Sequence, residues 1–475
     1  MKDGFYFYIM GKKRLQKGDM KLINAWAFYD WANSVYSLVI STAVFPIYYA
    51  TITGSFATRR LKENLTSLDA DWNMLQLYDY ATAFFNYKIS FLGTDWTPAT
   101  LYNYTIAFFM AIVAITSPIL SGIADYSGSK LKFLKFFCLL GSLSIMGLFF
   151  FEDESTLWVG ILLTITSGIG FWGSIVFYNA YLPEVAHPEQ QDAASAKGFI
   201  MGYIGSIILL VLCLVIIMNP GLVGLEEGTL PTRISFVVVG LWWLGFAQIT
   251  YRRLPNNVHQ RTPQKGYLTS GFKELRKVWD ELIDYPQLRT FLISFFFFSV
   301  GVQTIIYMAG IFGSSELGLP TTNLIGAILL VQFVAIFGAY IFSRVSKNYG
   351  NLTALKITIV IWGLVCFVAF SLDKSQENIE LYFYALGGLI GLVLGAIQSL
   401  ARSTYSKLLP ETEDTATYFS FYDVTEKVAI VLGMVVFGAL NALTGSMQWS
   451  VLFLAIFFLI SFIVLTMIKK TKYVQ

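Results

Sequence analysis

The sequence predicts an all-α membrane protein, with twelve transmembrane helices in two pseudo-symmetric six-helix bundles. Three observations carry this. Hydrophobic residues make up 56% of the 475 and charged residues 13%, about half the charged share of an ordinary soluble domain, so lipid must be the main solvent. The apolar residues fall into runs of about 20 or more, the length of helix that crosses the hydrocarbon core. And the hinge Gly122-Ile123-Ala124-Asp125-Tyr126-Ser127-Gly128-Ser129-Lys130, between two apolar runs, returns in the second half as the stretch from Gly338 to Gly350, with Arg344 and Lys347 inside it.

Only helices and closed barrels satisfy their backbone within a bilayer, and these runs are far too long for barrel strands. The expected spans are 27–52, 99–124, 132–151, 157–182, 198–218, 233–250, 288–313, 322–343, 353–371, 380–405, 418–440 and 449–468. They divide the chain into a tail (1–26), an N-terminal bundle (27–250) with an outer loop (53–98), a basic linker (251–287), a C-terminal bundle (288–468) and a second tail (469–475). Gly4 to Gly11 is too short for a secretory core or a span. Lys12, Lys13, Arg14 and Lys17 follow it, as suits a cytosolic tail. The outer loop carries Trp72, Tyr78, Phe84, Phe85 and Trp96. Its best apolar stretch, Tyr80–Phe91, is broken by Asn86 and Lys88 and reads as an interfacial cap. The linker, with Arg252, Arg253, Lys273, Arg276 and Lys277, is expected to hold a surface helix within 269–284. It suits a positive-inside anchor or a lipid-headgroup contact.

Basic residues set the orientation. With an even number of spans, both tails share one side. Only Arg59, Arg60, Lys62, Lys88, Arg233 and Lys374 fall opposite, and Lys427 lies inside a span; the rest of the 33 basic residues lie on the side of the tails. Both termini are therefore expected in the cytosol, and a bacterial inner (cell) membrane is the expected location.

Ionisable groups inside a span cost about 2.5–3.5 kcal/mol on insertion scales, so each one requires a reason. Span eleven holds Asp423, Glu426 and Lys427. Asp423 and Lys427 stand i,i+4 on one helix face, either as a brace or as a site in which Lys427 meets a substrate carboxylate. Asp30 and Asn33 open span one, as solute-path groups or, for Asp30, as a helix cap. Arg402 ends span ten beside Gln398, free to snorkel or to clasp Asp30, Glu184 or Asp423 when an inner gate closes. Asn179 and Tyr178 in span four, with Gln303 and Tyr307 in span seven, are further cavity candidates or plain interhelical hydrogen-bonders. Spans one, four, seven, ten and eleven hold most of this polarity; span twelve is almost wholly apolar, and three and six nearly so. Lining and lipid-facing helices divide in this way. Tyr181-Leu182-Pro183-Glu184 after span four is echoed by Leu409-Pro410-Glu411 after span ten, and such weak internal symmetry marks transporter folds.

These features together resemble the major facilitator superfamily across nearly the whole chain. The loop with Gly122, Asp125, Gly128 and Lys130 is similar to that superfamily's signature between spans two and three, which locks the inner helix ends in one state. Tyr126 stands where the signature carries arginine, and the second-half copy has Ser343-Arg344 near the place of the acid. More narrowly, Phe28-Tyr29-Asp30-Trp31-Ala32-Asn33-Ser34 with Val44-Phe45-Pro46-Ile47-Tyr48 resembles the first span of the vacuolar amino-acid effluxer-like branch. Ser117-Pro118, Phe177 to Glu184 and Gln398-Ser399-Leu400-Ala401-Arg402-Ser403 follow in matching order. The resemblance implies gating by Gly122, Asp125, Gly128, Lys130, Glu184, Arg344 and Arg402, and amino acids or similarly small polar metabolites as solutes.

The expected activity is thus secondary active transport, with H+-coupled efflux through Asp30, Asp423 or Glu426 and uncoupled facilitation both fitting the residues. A carrier of sugars or drugs and a non-transporting receptor or scaffold are the alternatives. A membrane enzyme would need clustered ligands or a nucleophile–base pair. The three cysteines lie in apolar runs without metal-ligand spacing, the two histidines lie in loops, and no glycine-rich phosphate loop ends in Lys-Ser/Thr. No enzyme activity, cofactor or metal is expected. The expected partners are a small-molecule solute and the lipid bilayer, with no nucleic acid, for a chain that works as a monomer.

Overall fold

The computed structural model describes residues 6–9, 13–54, 88–256 and 267–469. Among them, twelve helices are long and apolar enough to cross a bilayer. Spans one to six are Met20–Gly54, Thr100–Ser127, Lys130–Phe150, Glu154–Val185, Pro188–Met218 and Leu230–Tyr251. Spans seven to twelve are Pro286–Glu316, Thr322–Tyr349, Asn351–Phe370, Ile379–Leu408, Thr415–Thr444 and Met447–Thr466.

Span one begins at Met20, inside the stretch expected as a tail. The Asp19 carboxylate caps it, accepting from the Lys21 amide at 2.7 Å, and Leu22, Ile23 and Trp26 are buried. A cap and an apolar face are enough to extend the helix. Tyr36–Val44 widens into a π-helix in mid-span, a distortion common at functional sites. In span two, Pro118 removes one helical donor next to Ser117.

Two halves pack along a seam. Span two lies on span eleven, span five on spans eight and ten, and span four on span eleven. Glycines set the closest approaches. A Cβ at Gly338, Gly391 or Gly395 would strike a backbone carbonyl of the opposing helix, so spans eight and ten touch backbone to backbone. Gly202 and Gly205 seat span five against the Ser34 side chain and the Trp31 carbonyl of span one. Away from the seam, Phe136, Leu139 and Leu143 of span three, Val360, Leu364 and Phe367 of span nine, and Ile456, Leu459 and Ile463 of span twelve are exposed. Their helical spacing gives each of these spans an exposed apolar face, as suits helices that border lipid.

Residues 55–87 of the outer loop, including Trp72, Tyr78, Phe84 and Phe85, lie outside the described residues. The described remainder forms a small hairpin, Ile89–Phe91 paired with Thr94–Trp96. Leu92 and Gly93 turn it with φ of 52° and 74°. In the linker, Tyr267–Asp284 is one helix. It packs on span two and the start of span eleven, with Val278 and Leu282 buried. Lys277 meets Asp414 at 2.9 Å, and the Tyr418 hydroxyl donates to Glu281 at 2.9 Å. The helix therefore rides on both sides of the seam.

Candidate functional site

The polar groups along the seam form three levels, beginning at the end that carries the termini. At that end, the N-terminal half inserts two carboxylates, Asp125 and Asp192, into the C-terminal half. Asp125, at the close of span two, receives the Thr417 amide at 2.7 Å, the Thr417 hydroxyl at 2.8 Å and the Ala416 amide at 3.3 Å. These are the free donors at the start of span eleven, where a helix favours negative charge. Lys130 bonds to Glu184 and, at 2.6 Å, to Thr415; it lies 3.5 Å from Asp125. Gly128 ends span two at φ 62°, a backbone turn that glycine makes without strain. Outside the spans, Lys17 is held below the usual lysine range by burial, against the opposing pull of Glu184.

The second half answers with the acid on the other partner. Asp192 of span five takes Lys407 at 2.7 Å, Ser346 at 2.8 Å and Asn351 at 2.7 Å, while Lys407 also donates to the Asn351 amide oxygen at 2.6 Å. The hinge between spans eight and nine thus carries donors where its counterpart carries Asp125. Arg344 stands apart from this cluster, exposed, with its guanidinium 4.4 Å from the Tyr340 ring on its own helix.

One level deeper, Arg402 crosses the seam. Its Nη1 and Nη2 donate to one Asp30 oxygen at 3.2 and 3.1 Å, and its Nε to the Ser195 hydroxyl at 2.9 Å. It also reaches Asn179 at 3.3 Å and the Ser195 carbonyl at 2.9 Å. The Tyr178 hydroxyl donates to the same Asp30 oxygen at 2.7 Å. The guanidinium sits 4.9, 5.4 and 4.2 Å from the rings of Trp26, Tyr178 and Phe199. Gly198 leaves the space; a Cβ there would meet Asp30, Arg402 and Tyr178. Asn33 is buried one turn on from Asp30.

At mid-depth, Lys427 lies twelve residues into span eleven, roughly 18 Å along its axis. It bonds to Asp423 one turn earlier, and its ammonium lies 4.2 Å from the Trp172 ring of span four. Ser117 of span two donates to the other Asp423 oxygen at 3.4 Å. Glu426 accepts from the Gln303 amide at 2.7 Å, and Tyr307 follows on span seven. Gln398 receives the Tyr203 hydroxyl at 2.7 Å, another link between span five and span ten. Four spans from both halves therefore converge on one charged patch.

Asp192, Lys407, Ser195, Trp26 and Trp172 were not singled out from the sequence. Lys407 carried a signal, since it follows Arg402 by five residues at the same helix end. Trp172 and Ser195 gave none, because an indole inside an apolar run and a serine in a polar stretch are both ordinary.

The model of the family described as "Vacuole effluxer Atg22 like" matches residues 19–474. The MFS-type transporter YxiO of Bacillus subtilis (strain 168) is 31% identical over 466 residues, 96% of each chain. Autophagy-related protein 22-1 of Penicillium rubens is 25% identical over 427 residues, 71% of this chain and 69% of its own. Among solved structures, the proton:xylose symporter XylE, bound to 6-bromo-6-deoxy-D-glucose, superposes with a TM-score of 0.67 at 12% identity, covering 96% of each chain. A bacterial homologue of the iron transporter ferroportin in its outward-facing state gives 0.62 at 12% identity, covering 94% of this chain and 98% of its own. These two likenesses concern the fold alone. This chain is a multi-pass membrane protein that belongs to the vacuole effluxer Atg22-like family of major facilitator superfamily transporters.

Proposed function

We propose that the protein is a secondary active transporter that exports a small polar solute, an amino acid or a close relative, by alternating access. The observation that carries this reading is the charged patch of Asp423, Glu426 and Lys427 at mid-depth on the seam, where a solute-binding site between repeats belongs. Lys427 and Glu426 offer opposite charges to a zwitterion, and Gln303, Tyr307 and Gln398 offer neutral hydrogen bonds around them. Asp30, Asn33 and Asn179 belong, on this reading, with Arg402 in the gate immediately below. Gly122, Asp125, Gly128, Lys130 and Glu184 close the end beyond it, while Arg344 acts from the rim.

The basic bias of the loops supports a cytosolic position for the termini, so the described conformer has its cytosolic gate shut. The family's effluxer description supports export, and a proton carried by a seam carboxylate would drive it. A monomer contains every group this cycle needs. The test is counterflow of radiolabelled amino acids in liposomes holding the purified protein. Exchange above empty liposomes is expected for at least one of them. Its absence across the amino acids, with nucleosides or sugars exchanging instead, would overturn the solute class.

A further inference from the structure

The charges at mid-depth do not cancel. Asp423 and Lys427 neutralise each other. Glu426 is held by a neutral amide, the Gln303 Nε2 at 2.7 Å, and no lysine, arginine or histidine side-chain nitrogen among the described residues lies within 4.0 Å of its carboxylate oxygens. The groups facing it are Tyr307 from span seven and Tyr422, Asp423 and Lys427 from its own span. Span two contributes Ser117 and span four contributes Trp172 to the patch. The nearby guanidinium of Arg402 is committed to Asp30. The patch therefore carries one uncompensated negative charge at the depth where isolated charge costs most.

A simple zwitterion does not remove that charge. Its ammonium would answer Glu426, but its carboxylate would displace Asp423 from Lys427 and leave Asp423 alone. A proton on Glu426 removes it, and so does a solute with a net charge of +1. Both claim the same oxygens, so they exclude each other. Resting on the reading above that this patch binds the solute, we infer that Glu426 is the coupling carboxylate and that one proton leaves it as a solute of net charge +1 arrives. The solute's cation is an ammonium or guanidinium group, and transport is an exchange of proton for cation.

The experiment uses the full-length protein in liposomes loaded with pyranine, with the membrane potential clamped by potassium and valinomycin. L-arginine, L-lysine, choline or L-glutamine is added outside. Arginine and lysine are expected to raise the internal pH about tenfold faster than glutamine. A response to choline as well would assign recognition to the cationic head alone; no response would assign it to a cationic amino acid. Glu426→Gln is expected to abolish the proton signal and Glu426→Asp to retain part of it, each with the wild-type gel-filtration profile. Glutamine moving protons as fast as arginine, or an undiminished proton signal in Glu426→Gln, would overturn the inference. Glutamine counterflow without any proton signal or any arginine exchange would sink it while leaving transport standing. Counterflow absent for the amino acids would instead remove the reading beneath it.

Discussion

Arg402 of span ten and Asp30 of span one are joined across the seam by two hydrogen bonds to a single carboxylate oxygen, at 3.1 and 3.2 Å, with both side chains buried. Two members of opposite halves can hold this geometry only while the terminus-bearing end is closed. The pair is thus a conformer-specific contact. Leaving one partner of a buried pair uncompensated costs about 3–5 kcal/mol, which falls on the closed conformer alone.

Asp30→Asn should therefore open the terminus-bearing end. Spin labels at the exposed positions Glu189 and Lys347, on spans five and eight, would report it by pulsed electron–electron distance measurement. A longer, broader distribution than in the wild type is expected. Arg402→Lys should fall between the two, since an ammonium keeps the charge but cannot reach Asp30, Asn179 and Ser195 together as the planar guanidinium does. An unchanged distribution in Asp30→Asn would mean that the pair does not hold the gate.

Gly198→Ala tests the same cluster without touching a charge. The added methyl would occupy the space of the Asp30 carboxylate and approach Arg402 and Tyr178, and a buried cluster has little room to relax. Counterflow should drop about tenfold or more with expression and gel-filtration behaviour intact. Gly245→Ala, where nothing lies near the added carbon, should behave as the wild type.

The contrast between these positions shows what was readable beforehand. The spans were legible because lipid requires a long apolar helix each time. Asp423, Glu426 and Lys427 stood out because charge inside such a helix is costly. The pairing of Arg402 with Asp30 was one of three options, since helix spacing fixes the depth of a side chain but not the partner across the seam. Asp192 was invisible for another reason. It sits in a polar stretch where an acid is unremarkable, and only the packing of span five on spans eight and ten buries it. The helical start at Met20 was masked by the basic residues around it, although Asp19 offers a cap.

Asp192 should be coupled to Lys407 in stability. Asp192→Asn removes the charge that Lys407 faces at 2.7 Å and leaves a buried ammonium with neutral amide oxygens as its acceptors. The detergent-purified variant should melt several degrees below the wild type. Adding Lys407→Met should recover part of that loss, because removing both charges is far less costly than removing one. A double variant that melts lower than either single variant would show that the two residues are not energetically linked.

Lys427 has two possible duties, and one pair of variants separates them. Lys427→Ala leaves Asp423 buried with, among the described residues, only Ser117 at 3.4 Å, so loss of counterflow alone would fit a brace as well as a binding group. Asp423→Asn combined with Lys427→Met replaces the ion pair by neutral side chains of similar size and relieves any need for a brace. If Lys427 only steadied span eleven, the double variant should regain counterflow lost in Lys427→Ala. If the ammonium meets the solute's carboxylate, both variants should stay below about 5% of the wild-type rate while the double variant melts near the wild-type temperature. We expect the second result. Among the described residues its ammonium is the one positive charge in the mid-depth patch, and Trp172 of the other half lies 4.2 Å from it, so a solute bound between the halves meets it there.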